Sequence, residues 1–142
     1  MPKGTDPRAD PPPVEAVPAL LRQGAAEWNA ARFWHAHEAW ESAWHALRKA
    51  GRIEAAAYVK GMIVVAAALE NATRGKEAGF KRQFAEGLHA LKTNGAGASA
   101  LGLADPRAWE DALTVLYADA MRRRAWEWWR GSGWAAPVLA FA

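Results

Sequence analysis

The stretch RFWHAHEAWESAW, residues 32–44, gathers two histidines, two glutamates and three tryptophans into thirteen positions. His37, Glu38 and Glu41 spell H-E-x-x-E, one residue away from the H-E-x-x-H signature of zinc hydrolases, in which two histidines on one helix face hold the metal. Three kinds of chemistry are open to such a cluster. The first is structural: a histidine within an aromatic face needs hydrogen-bond partners, and Glu41 one turn away supplies one. The second is metal binding, with His37 and Glu41 at i, i+4 facing one ion and Glu70 as a third ligand. The third is a small-ligand or catalytic site lined by Trp34, His37, Glu38 and Lys60, with His37 as general base oriented by Glu41.

Residue types elsewhere discriminate among these. The chain has no cysteine, which removes thiolate nucleophiles and cysteine-held zinc. Ser42 falls on the helix face opposite His37, so no nucleophile completes a triad. The motif does not match the di-iron pattern, which takes Glu-x-x-His from each of two helices. A hairpin of the second and third helices, turning near Gly51, places Lys60 within reach of Glu41 and leaves Glu70 more than a helical turn from His37. A lysine beside Glu41 disfavours a cation and favours an ion pair. The structural reading is therefore preferred, and no metal or cofactor is expected. The enzyme question stays open and leans towards no.

These residues need helices to place them, and the pattern supplies helices throughout. Residues 1–13, with prolines at 2, 7, 11, 12 and 13, read as a disordered tail. A first helix starts near Pro18 and ends between Asn29 and Arg32, with no glycine to stop it. A second runs from Phe33 to about Ala50, placing Phe33, Ala36, His37, Trp40, Trp44 and Leu47 inward and His35, Ser42, Ala46 and Lys49 towards solvent. Gly51 closes it. A third, Ile53 to Thr73, is apolar nearly all round and marks a central helix in which Gly61 admits a close neighbour. A fourth spans about Glu77 to Lys92, with Phe80, Phe84, Leu88 and Leu91 inward. TNGAGASALGLA then reads as a glycine-rich loop. Asp105 and Pro106, as cap and first residue, open a fifth helix extending to about Arg130. The expectation is an all-α bundle of about five helices, mostly antiparallel between neighbours, with a single domain over 14–130 and a tail over 131–142.

NAARFWHAHEAWESAW followed by KGMIVVAAAL and a glycine turn resembles the bacterial family of unknown function DUF 309. The resemblance runs through Phe33, Trp34, Ala36, His37, Glu38, Glu41 and Trp44, then Gly61, Ile63, Ala66, Ala67, Leu69 and Gly75. It covers roughly residues 20 to 93 and implies a small all-α fold with no known activity. Three positions depart from the family pattern. Ala31 replaces a usual turn glycine, Lys60 a usual glutamine, and Glu70 an expected histidine.

Bulk composition bounds the partners. The 142 residues carry a net charge of +3 with an isoelectric point near 9.5, too weak an excess to imply nucleic acid. No secretory signal is legible, and the longest apolar run is too short for a bilayer, so a cytoplasmic protein is the default. Near the carboxyl end, MRRRAWEWWRGSGW mixes four arginines with four tryptophans. Arg123, Arg124, Trp128 and Trp129 form a candidate interaction surface. A nucleic-acid contact is the weaker reading and a homodimer or tail-docking surface the stronger, because adjacent tryptophans cannot both face one core. The expected function is a binding or protein-interaction module with a His/Glu/Lys cluster that fixes its conformation. An enzyme or ligand site at the same cluster is the alternative.

Overall fold

A computed structural model describes residues 10–122 and 135–141. Its elements are α1 (Val17–Asn29), α2 (Phe33–Lys49), α3 (Ile53–Thr73), α4 (Glu77–Thr93), α5 (Gly95–Leu101) and α6 (Pro106–Met121), with a 3-10 turn at Val14–Ala16 before them. The all-α bundle expected from the pattern is what forms, with one short helix more than anticipated. Among the described residues no helix is long and apolar enough to cross a membrane.

The first three connections use one device. After α1, Ala31 N–H bonds the Trp28 carbonyl and Arg32 N–H bonds the Glu27 carbonyl. The same two bonds recur after α2, from Gly51 to Arg48 and Arg52 to Leu47, and after α3, from Gly75 to Ala72 and Lys76 to Asn71. This is the Schellman closure, which needs a left-handed residue past the helix end. Gly51 and Gly75 supply it at φ 75° and 70°, and Ala31 is forced to φ 61°. These tight turns fold α1, α2, α3 and α4 back on one another in succession. Asp105 caps α6 as expected, its carboxylate accepting from Ala108 N–H at 3.0 Å, with Pro106 next.

Helix α3 lies at the centre, packed by α2, α4 and α5. Gly61 and Gly87 bring α3 and α4 together: a Cβ on Gly87 would stand 2.9 Å from Val65 N and 3.0 Å from Gly61 O. On the other side, Gly24 of α1 makes room for the Trp40 ring. Trp28 is the aromatic hub, with ring centroids 5.3 Å from Phe33, 5.9 Å from Trp40 and 5.5 Å from Trp109. Buried indoles need acceptors, and Trp40 finds one in the Leu21 carbonyl at 3.2 Å.

Two expectations require correction. TNGAGASALGLA is not all loop: Gly95–Leu101 is helical. Gly97 presses on the Glu54 carbonyl, to which a Cβ there would approach within 2.1 Å, and Ala98 is buried. Packing against the start of α3 thus outweighs the roughly 1 kcal/mol that each glycine costs a helix. The inner face of α2 is also rotated from the expected one. Its buried residues are Phe33, Ala36, Ala39, Trp40, Ala43, Ala46 and Leu47. Ala46, expected in solvent, is inside, and His37 and Trp44 lie at the border. Alanines let neighbouring backbones approach closely, so the contact arc follows them rather than the largest rings.

Candidate functional site

The rotation of α2 gives the motif residues a face of their own. At about 100° per residue, positions 34, 37, 38, 41, 44, 45 and 48 form a stripe along the flank of the helix, beside the buried arc. His37, Glu38, Glu41 and Trp44 are half-buried, while Trp34 stays 45% exposed. Trp34 lies flat on the His37 imidazole, with centroids 4.6 Å apart and planes 9° from parallel. Two turns further on, Trp44 meets His45 edge to face at 4.9 Å.

Two polar atoms of this stripe are buried without a hydrogen-bond partner: His37 Nδ1 and Glu41 Oε1. Buried polar atoms are paired in the great majority of cases. The partner expected for Glu41 was Lys60, and the structure corrects this. No Lys60–Glu41 contact is among the ion pairs of the described residues. The Lys60 ammonium lies 4.9 Å from the centroid of the Trp44 ring, and the Arg48 guanidinium 5.2 Å from it. Exposed on α3, Lys60 keeps its hydration and takes the ring as a cation–π partner.

The electrostatics of His37 follow from this placement. Burial lowers its pKa from the ordinary 6.5, opposed by the Glu41 and Glu38 carboxylates and reinforced by Lys60. The imidazole is thereby favoured neutral, with one ring nitrogen a donor and the other an acceptor. The Glu41 carboxylate, when ionised, can only accept.

Glu70 does not join the cluster. It pairs with Arg74, the residue that follows α3, at 2.9 Å. No group of three histidine, aspartate or glutamate side chains comes together in a metal-holding arrangement among the described residues. Ser42 donates weakly to the Glu38 carbonyl at 3.4 Å, a backbone bond on the far side from His37. Arg123, Arg124, Trp128 and Trp129 lie outside the described residues.

Two further polar sites escape the sequence pattern. Fully buried Tyr58 on α3 donates to Glu110 Oε2 on α6 at 2.9 Å. Burial raises the pKa of both groups; for Tyr58 the Glu110 carboxylate adds to the rise, whereas for Glu110 the Tyr58 hydrogen bond opposes it. The other is Asn29, whose side chain holds the carboxyl-terminal segment. A tyrosine inside AAAYVKG signals a buried hydroxyl in need of an acceptor, but nothing in the pattern names Glu110.

Fold and stripe together define a small helical bundle carrying a polar–aromatic flank on its second helix. Residues 21–83 match the model of a family described as a domain of unknown function, DUF309, a stretch short of half the chain. It runs from α1 into α4, so it contains the whole stripe and Lys60, and leaves out α5, α6 and the carboxyl-terminal segment. Comparisons with curated proteins and with solved structures return no match.

Proposed function

We propose that this protein is a binding module and that the flank of α2 is its contact face. The observation that carries this reading is the pair of buried, unpartnered atoms, His37 Nδ1 and Glu41 Oε1, one turn apart beneath an exposed tryptophan. A seam kept for stability would pair these atoms internally, because an unsatisfied buried polar group costs about 1–3 kcal/mol. Acceptors dominate the open valences: Glu41 and its neighbour Glu38 are carboxylates. The complementary partner therefore presents hydrogen-bond donors on a cation, an ammonium or guanidinium group of a protein side chain, which Trp34 can cover by cation–π contact.

The test is an NMR titration of labelled protein with N-acetyl-arginine amide and N-acetyl-lysine amide. Saturable shifts of the Trp34 indole and the His37 ring are expected, and they should vanish in a folded Glu38→Gln/Glu41→Gln variant. Shifts that are absent, or unchanged in that variant, would remove the assignment. The same cluster also offers an acid–base pair, but no observation favours catalysis over binding.

A further inference from the structure

Residues 135–141 carry no helix, and they are held chiefly through their backbone. The Trp28 and Trp109 indoles both donate to the Pro137 carbonyl, at 2.8 and 3.3 Å. Asn29 grips Leu139 twice: its Nδ2 donates to the Leu139 carbonyl at 3.0 Å, and its Oδ1 accepts from the Leu139 N–H at 2.9 Å. Ala104 N–H donates to the Ala140 carbonyl at 3.0 Å, beside an antiparallel bridge between Leu103 and Phe141. The side chains alternate along this path. Leu139 is 3% exposed while Val138 is 76% exposed. Phe141 packs against the core, with the Arg22 guanidinium 5.9 Å from its ring centroid. A cavity of about 200 Å³ adjoins the segment, bordered by Asp105, Ala108, Trp109 and Ala112, so the groove is wider than the chain it holds.

Backbone bonds combined with sockets for alternate side chains are how proteins recognise extended peptides. An asparagine that both donates to and accepts from one residue stands in for a neighbouring strand. We propose that α1, α6 and the Leu103–Ala104 backbone form a peptide-recognition groove for the pattern Pro-x-Leu-x-Phe. Residues 137–141 are its resident occupant, displaced by a partner protein's extended segment of the same chemistry. Because the resident segment is covalently part of the same chain, an incoming segment must exceed its effective concentration.

The full-length chain carrying Leu139→Asp frees the groove. A fluorescein-labelled peptide of residues 135–141, AAPVLAF, is titrated into it and into the wild-type chain, with fluorescence anisotropy as readout. The variant should bind at least about ten-fold more tightly than wild type, and adding Asn29→Ala should abolish binding. A peptide with aspartate at the leucine position should not bind. No binding to the folded Leu139→Asp chain, or equal binding of the aspartate peptide, overturns the proposal. Should that variant fail to fold, the wild-type chain decides by hydrogen exchange. Several millimolar peptide should then deprotect the chain's own Leu139 amide while those of α1 and α6 stay protected. Unchanged Leu139 protection overturns the proposal equally.

Discussion

Ala31 shows what one side chain can cost. It takes the left-handed position of a Schellman turn in which the two counterparts are glycines. For an L residue with a Cβ that conformation costs roughly 1–2 kcal/mol. Ala31→Gly should raise the unfolding free energy by about 1 kcal/mol, allowing for the greater freedom glycine gives the unfolded chain. Urea unfolding measures it, and no gain would mean that the turn is relaxed. His37 makes a second claim at this scale. Its folded pKa lies below the 6.5 that the unfolded chain recovers. On acidification the unfolded state therefore takes the proton first. The His37 contribution to stability is constant above pH 6.5 and declines as pH falls through the window below it. In His37→Phe that part of the decline should be absent when unfolding is followed at pH steps between about 7 and 5. An identical slope in both chains would place the imidazole in solvent.

At the scale of elements, the α3–α4 contact is set by Gly61 and Gly87. A methyl group on Gly87 meets backbone atoms, Val65 N and Gly61 O, which cannot turn aside. On Gly61 it meets the Leu91 side chain at 3.0 Å and the Gly87 carbonyl at 3.1 Å. Gly87→Ala should therefore cost about 1–3 kcal/mol, and more than Gly61→Ala, in chemical unfolding. The reverse order would mean that α4 shifts freely on α3. Helix α6 is tied to α3 by Tyr58 and Glu110. The Glu110 pKa is raised by burial, so its ionised form weakens the fold above the folded pKa. Stability is regained as pH falls through that pKa towards the ordinary 4.5. Glu110→Gln should flatten this segment of the stability profile, opposite in sign to the His37 effect. Element boundaries were largely legible from spacing: α3 runs from Ile53 to Thr73 as its apolar pattern says, because turn glycines flank it. The orientation of α2 was not, since Ala39, Ala43 and Ala46 carry little hydrophobic signal yet decide how near α1 and α3 come. Nor was α5, whose glycines argue for a loop until Gly97 meets Glu54.

Across the whole molecule, two surfaces divide the chain. The segment resembling DUF309 supplies the α2 flank, and the remainder adds α6 and the strip at 135–141 that closes over Trp28 and Trp109. The all-α architecture could be read from periodicity; the place of the polar residues on the flank of α2, rather than within its inner face, could not. The loss of the Lys60–Glu41 pair could not, because Trp44 competes for the ammonium and spacing alone does not weigh that competition. The grip of Asn29 on Leu139 joins residues 110 positions apart, beyond any local pattern. What separates a binding flank from a structural seam is a global property, the effect of the unpaired atoms on folding. The unfolding free energy of His37→Phe/Glu41→Met, which keeps shape and removes both polar atoms, measures it directly. A binding flank predicts a double variant at least as stable as wild type, by up to about 1–2 kcal/mol. A loss of more than about 1 kcal/mol would show that the two side chains hold the fold together and would contradict the account.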